Sequence, residues 1–212
     1  MLTSPRLLIE HQCPQCGAPA VLEETERLFT CPFCRVRSYL VTRDYFRYFL
    51  QHAAPAGKPI VFFPYWRFKG SFFVSLPGGI KPKIVDISQQ AVPSPFFPVS
   101  LGLRSQTLKL RFVSPESDGV FLKPKVPSKD FIRVAEDMFT ASIPEPLFAK
   151  AFIGETLSQI YSPFYVTDKV FDAVLNRPVS CALPEDLDLS RMEGGKANWR
   201  IEFLPALCPN CG

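Results

Sequence analysis

Histidine is nearly missing from this chain. His11 and His52 are the two in 212 residues, too few for a metal site built on imidazole. Glycine is half as frequent as proline, 11 against 22, and no glycine-rich phosphate loop or dinucleotide fingerprint occurs. Neither G-x-S-x-G nor H-E-x-x-H is found, so the local signatures of serine hydrolases and zinc proteases are missing as well. No apolar run reaches the ~20 residues a helix needs to cross a bilayer. The longest candidate, 60–76, is interrupted by Pro64, Arg67, Lys69 and Gly70. Residues 1–12 have no basic stretch followed by an apolar one, so no secretory signal is expected. Gly78-Gly79 reads as a turn. Glu136, Asp137 and Glu145 form no evident acid–base pair, and a catalyst is not expected.

Proline and phenylalanine are what the chain has in excess, 22 and 20 residues respectively. Proline ends helices and is confined to edges and turns of sheets, which predicts short strands and many loops. The phenylalanines can fill a core or the centre of an interface. The net charge of +4 is weak evidence for any partner. It is unevenly spread: residues 101–133 are mainly basic and 185–193 mainly acidic. With no signal and no span, a cytoplasmic location is expected. In a reducing compartment paired cysteines read as metal ligands before disulfides.

Cys13, Cys16, Cys31 and Cys34 form two Cys-x-x-Cys pairs separated by 14 residues. A two-residue gap lets both thiolates of a pair turn towards one ion while backbone amides bond to the sulfurs. Four soft thiolates in a tetrahedral cage suit Zn2+, with Zn–S near ~2.3 Å. Four-sulfur closure leaves no open position, so the ion is expected to be structural. Iron in the same cage and a redox dithiol remain as alternatives. Gly17 after the first pair fits the left-handed backbone of a knuckle; Arg35 stands at that place in the second. Cys13-Pro14-Gln15-Cys16-Gly17 with Cys31-Pro32-Phe33-Cys34 resembles the zinc-ribbon family, over residues 7–41 only. The resemblance implies a small three-stranded module liganded by those four cysteines, and it implies no particular activity. Cys208 and Cys211 make a third pair, either half of a candidate second metal site completed by residues beyond 212, by a partner or by a second copy, or a free or redox dithiol. Cys181, among apolar neighbours, reads as an ordinary buried cysteine.

The expected fold is mainly β with a few helices (α+β). A zinc ribbon fills 1–41, a helix and linker 42–58, and a β-rich domain 59–207, with 208–212 opening a second ribbon. Within the ribbon, strands are expected at 7–12, 20–24, 28–30 and 36–41, with a hairpin between the cysteine pairs that brings them together. Thr42 caps a helix over 43–52, where Tyr45, Phe46, Phe49 and Leu50 recur at helical spacing. Residues 59–76 read as a hairpin turning at Lys69-Gly70. Further strands are expected at 83–87 and 106–113. A helix follows from Ser128 to about Phe139, its apolar face made by Phe131, Ile132, Val134, Ala135 and Met138. Residues 155–175 read as a second hairpin. Phe63-Pro64-Tyr65-Trp66 aligns with Ser162-Pro163-Phe164-Tyr165 at an offset of 99, which suggests two related hairpin units.

Strand alternation puts Trp66 and Phe68 on one face and Tyr65, Arg67 and Lys69 on the other. Arg67 and Lys69, with Lys109 and Arg111 in the basic segment, are the candidate contacts for nucleic acid or another partner. The function expected from all this is a non-catalytic adaptor or assembly protein making protein–protein contacts. A nucleic-acid-binding protein of the replication or transcription type is the alternative. No small-molecule substrate is evident.

Overall fold

The computed structural model describes residues 8–23, 26–42, 44–102, 104, 108–140, 143, 149–179, 182–187, 193–199 and 202–205, with the backbone alone at 152–156, 203 and 205. The first half holds strands β1 (Leu8–Gln12), β2 (Pro19–Glu23), β3 (Leu28–Thr30), β4 (Arg37–Val41), β5 (Phe46–Leu50), β6 (Ile60–Leu76) and β7 (Gly79–Gln90). Then come β8 (Leu110–Phe112), β9 (Val120–Leu122), helix α1 (Ser128–Thr140), β10 (Ala149–Val166), β11 (Val170–Asp172), β12 (Arg177–Pro178), β13 (Gly194–Gly195) and β14 (Glu202–Pro205). The protein is mainly β, as its proline and aromatic content leads one to expect.

Two long antiparallel strands, β6 and β10, form the middle of the fold, paired from Ala149↔Ser75 to Tyr165↔Ile60. Among the described residues the larger sheet runs β13-β9-β6-β10-β5-β8-β1-β2, with β7 on β6 and β11 and β12 beyond β10. The first part of β6 is buried on both faces. Val61, Phe63 and Tyr65 enter one core cluster, and Ile60 and Phe62 enter another with Phe121 and Tyr161. Further along, Trp66, Phe68 and Phe72 pack beneath α1 against Phe131, Ala135 and Phe139. Full burial of each such side chain contributes about 1.5–3 kcal/mol.

The expected turn at Lys69-Gly70 does not occur. Trp66, Phe68, Phe72, Val74 and Leu76 keep a period of two straight through Gly70, so a single 17-residue strand runs on to a turn at Pro77-Gly78. The strand expected at 83–87 is the middle of the returning β7. The helix expected over 43–52 is also absent. Phe46, Tyr48 and Leu50 are buried while Arg47 and Phe49 turn to the other face, a strand pattern that the spacing of Tyr45, Phe46, Phe49 and Leu50 happened to mimic. Open edges of β10 and β8 take up the β5 backbone bonds, and aromatic residues suit a pleated surface. Helix α1 stands where expected but buries Phe131, Ala135 and Phe139 and leaves Val134 and Met138 exposed.

The offset of 99 has a geometric counterpart. Phe63 pairs with Ser162, and a two-fold axis through that pair maps 60–66 onto 159–165. The neighbours follow the same axis: β9 lies parallel to β6 at Val61 and Phe62, and β5 lies parallel to β10 at Ile160 and Tyr161. Hairpin partners then begin at Tyr65 and at Phe164. Phe72 and Phe171 fall outside this relation, one in β6 and the other in β11.

Strand pairing crosses both boundaries expected at 41/42 and 58/59. Strand β1 pairs in parallel with β8, β5 lies between β8 and β10, and β14 pairs with β4 in a second, three-stranded sheet ordered β14-β4-β3. Ile9, Leu22, Phe29 and Leu40 from the cysteine hairpins lie in one cluster with Phe63 and Phe164. Short hairpins of this size cannot bury their apolar faces against themselves.

Inside the sheet, Arg67 is 1% exposed and donates through Nε and Nη2 to the two oxygens of Asp86, at 2.8 and 2.7 Å. Removing one member of such a pair strands the other charge. Asp86→Asn is therefore expected to lower unfolding free energy in urea titrations by about 3 kcal/mol, and Arg67→Met with Asp86→Leu by much less. Equal losses for the single and double variants would contradict this account.

Candidate metal centre

Each cysteine pair sits at the tip of its own hairpin, the first between β1 and β2 and the second between β3 and β4. Among the described residues the hairpin expected between the pairs is not formed: β2 and β3 lie in different sheets. The backbone fold of the two tips is the same. Cys13 N–H donates to Ala18 O and Gly17 N–H to Cys13 O; Cys31 N–H donates to Val36 O and Arg35 N–H to Cys31 O, all at 2.9–3.0 Å. Gly17 and Arg35 take the corresponding left-handed conformation, φ 71° and 60°. The departure from glycine in the second tip is thus accommodated by placing arginine where glycine is easier. Two residues before each tip, His11 and Phe29 meet edge to face with ring centroids 4.7 Å apart, which joins the hairpins below the sulfurs. Burial pushes the His11 imidazole below its ordinary range.

The four Sγ atoms lie within 4.8 Å of one another, with Cys13–Cys34 and Cys16–Cys31 each at 3.7 Å. A tetrahedron with metal–sulfur bonds of ~2.3 Å has edges of about 3.8 Å, so the spacing fits a four-coordinate ion. Cys13 and Cys31 are buried and Cys16 and Cys34 exposed. Desolvation raises the Cys31 thiol, but backbone bonds from Cys34 and Phe33 and the neighbouring sulfurs outweigh it and bring it down to about 6. At Cys34 the Val36 backbone bond lowers the thiol, while desolvation and the sulfurs of Cys31, Cys16 and Cys13 push it up to about 12. A thiolate is favoured at Cys31 and disfavoured at Cys34 by the sulfurs around it, a repulsion that a bound cation would relieve. A metal ion can therefore be held by Cys13, Cys16, Cys31 and Cys34.

The other expected contacts do not converge. Arg67 is turned inward onto Asp86, Trp66 is buried with its Nε1 donating to Val126 O at 2.8 Å, and Lys69 is half-buried on the same strand. Lys109, just before β8, and Arg111, on it, are exposed and approach Glu10 at 3.0 and 3.8 Å, where the Lys109 bond holds the Glu10 carboxyl below its ordinary range. Strands β10 and β5 separate β6 from β8, so these four cations do not make one surface. Cys208, Cys211, Cys181 and Glu145 lie outside the described residues.

One feature was not visible in the sequence. A cavity of about 440 Å³ is lined by Asp44, Tyr45, Arg47, Trp199 and Glu202 among others. Arg47 Cζ lies over the rings of Tyr45 and Trp199, 4.3 and 5.0 Å from their centroids, and the guanidinium forms a bidentate pair with Asp44. These residues come from β5, its approach and a segment 150 residues later, a juxtaposition that only the topology creates.

Known proteins offer no match: no family model, no curated protein and no solved structure is similar to this chain.

Thiols must lose protons to become ligands, so protons compete with metal and affinity falls as pH falls. Titrating apo protein with Zn2+ near neutral pH in weakly buffered dye is expected to release protons; uptake without release would exclude a thiolate cage. Gly17→Ala is expected to cost about 1 kcal/mol in stability of the loaded protein, since alanine disfavours the left-handed conformation. Arg35→Gly is expected to leave thermal stability unchanged or raise it.

Proposed function

We propose that this chain is a zinc-braced, non-catalytic adaptor whose cysteine hairpins present a protein-binding surface in a cytoplasmic complex. The observation that carries the reading is the place of the four sulfurs. They join hairpin tips from two different sheets, so an ion bound there acts as a brace between them. A four-sulfur cage also leaves no position for substrate. Zinc is favoured over iron by the closed thiolate set on a zinc-ribbon-like pair of knuckles, with Cys13, Cys16, Cys31 and Cys34 as ligands.

The braced surface has the composition of a contact site. Phe33 projects at the second tip, 67% exposed. On the outer face of the three-stranded sheet, Leu28, Tyr39 and Leu204 lie in one row across β3, β4 and β14, all three exposed. Exposed apolar groups gathered in this way mark interaction sites, and aromatic residues dominate such contacts. The nucleic-acid reading has less support, because Arg67 serves Asp86 and the Lys109 and Arg111 cations lie beside Glu10.

Elemental analysis of protein purified from zinc-supplemented cells is expected to give one zinc per ordered cage, and Cys13→Ser or Cys31→Ser to abolish it. An iron-loaded, coloured protein would overturn the metal assignment. Tyr39→Asp is expected to keep the zinc and lose the protein that co-purifies with the wild type; an unchanged partner would move the interface elsewhere. Salt-sensitive binding of labelled oligonucleotides, of the kind phosphate contacts produce, would instead favour the alternative.

A further inference from the structure

Beyond α1 and the core, strands β7, β6 and β10 continue side by side, and among the described residues one face is left uncovered. Register fixes its content. Ile80, Ser75 and Ala149 form one row across the three strands, and Pro82, Phe73 and Ala151 the next. Ile84, Ser71 and Ile153 form the row after that by backbone register. No charged side chain stands in these rows. Ile80 and Ile84 are 71% and 83% exposed, and Pro82, Ala149 and Ala151 are exposed too, with Phe73 half-buried between them. The reverse face is occupied: Phe72 and Val74 pack in the cluster that contains α1. Along each strand the intervening charged residues lie on that reverse side, with Lys83 above the Phe139 ring and Lys150 beside Glu136. On the apolar face itself the next row is Asp86 and Lys69, both half-buried, and it ends the patch.

The relief of this uncovered face is uneven in a particular way. Its β7 margin is raised by two isoleucines and a proline, its β10 margin is hollowed by two alanines, and its centre carries one aromatic ring. Rotation by 180° about the direction of β6 lays β7 of one copy over β10 of another and sets Phe73 against itself. In the first two rows Ile80 then stands over Ala149 and Pro82 over Ala151, large against small, which is how two packed sheets interdigitate at ~10 Å. In the third row Ile84 stands over the Ile153 position. A surface that complements itself under a two-fold axis is the requirement for a symmetric dimer. Edge-to-edge addition to β7 is disfavoured, because Pro82 has no N–H to offer a further strand.

We propose that this face docks a second copy of the chain, sheet on sheet, with Phe73 on the dyad. Three short rows of side chains are far fewer than the roughly 20–30 residues a side of a standard interface, so the association is weak and reversible.

Sedimentation velocity of the zinc-replete full chain, from low to high micromolar, tests this. The expected result is a monomer–dimer equilibrium that weakens at least tenfold in Ile84→Lys and, separately, in Ala151→Trp, which fills the hollow that receives Pro82. Val134→Lys, on the exposed face of α1, is expected to leave it unchanged, and circular dichroism checks that each variant is folded. A wild type that stays monomeric throughout overturns the proposal, as does a dimer that persists in both folded variants. Neither result bears on the metal brace or on the Tyr39 surface.

Discussion

The pairing of β6 with β10 is the constraint on which the rest of the structure depends. It joins segments about a hundred residues apart and continues for nearly the whole of both strands, apart from an irregularity between Ile153 and Thr156. Every other part of the large sheet is attached to one side of this pair or the other. Because the first part of β6 is buried on both faces, its side chains fix two core clusters at once, and a residue moved by one place would exchange their contents. The ion pair of Arg67 and Asp86 sits where that double burial ends. It lets one strand pass from a fully enclosed environment to an exposed arm without a break.

How much of this could be read from the residues depended on the range of the interactions involved. Cys13, Cys16, Cys31 and Cys34 were legible because ligand spacing is local chemistry, and the cage geometry agrees with it. The β character was legible from proline and phenylalanine. Helix α1 was legible from its period, but which of its apolar residues faced inward was not, because Val134 and Met138 lack a neighbour that only the sheet could supply. The strand at Phe46–Leu50 was misread as a helix because five residues hold too few repeats to separate the two periods. Gly70 taken alone reads as a turn, yet the burial alternation on either side of it is unbroken. The cation cluster failed for a different reason. Alternation correctly placed Arg67 opposite Trp66, but a strand with two buried faces has no solvent side for a cation to occupy.

The cysteine hairpins change character once the topology is known. As a sequence motif they look like an appendage joined by a linker. In the structure their apolar residues belong to the main cluster, and their strands pair with β8 on one side and β14 on the other. A metal ion at their tips would stabilise the junction of two sheets, so its loss would be felt well beyond the four ligands.

The partnership of β14 with β4 has a consequence for how the molecule is made. The strand that completes the three-stranded sheet is formed by residues 202–205, while the cysteines it supports were synthesised some 170 residues earlier. At ~5–20 residues per second, a ribosome takes about ten seconds or more to cover that interval. During that time the second knuckle exists with one flank open and its thiols exposed to whatever metals and oxidants surround the nascent chain. Early metal capture by the knuckles themselves, ahead of the sheet that later encloses them, would protect the sulfurs through this wait.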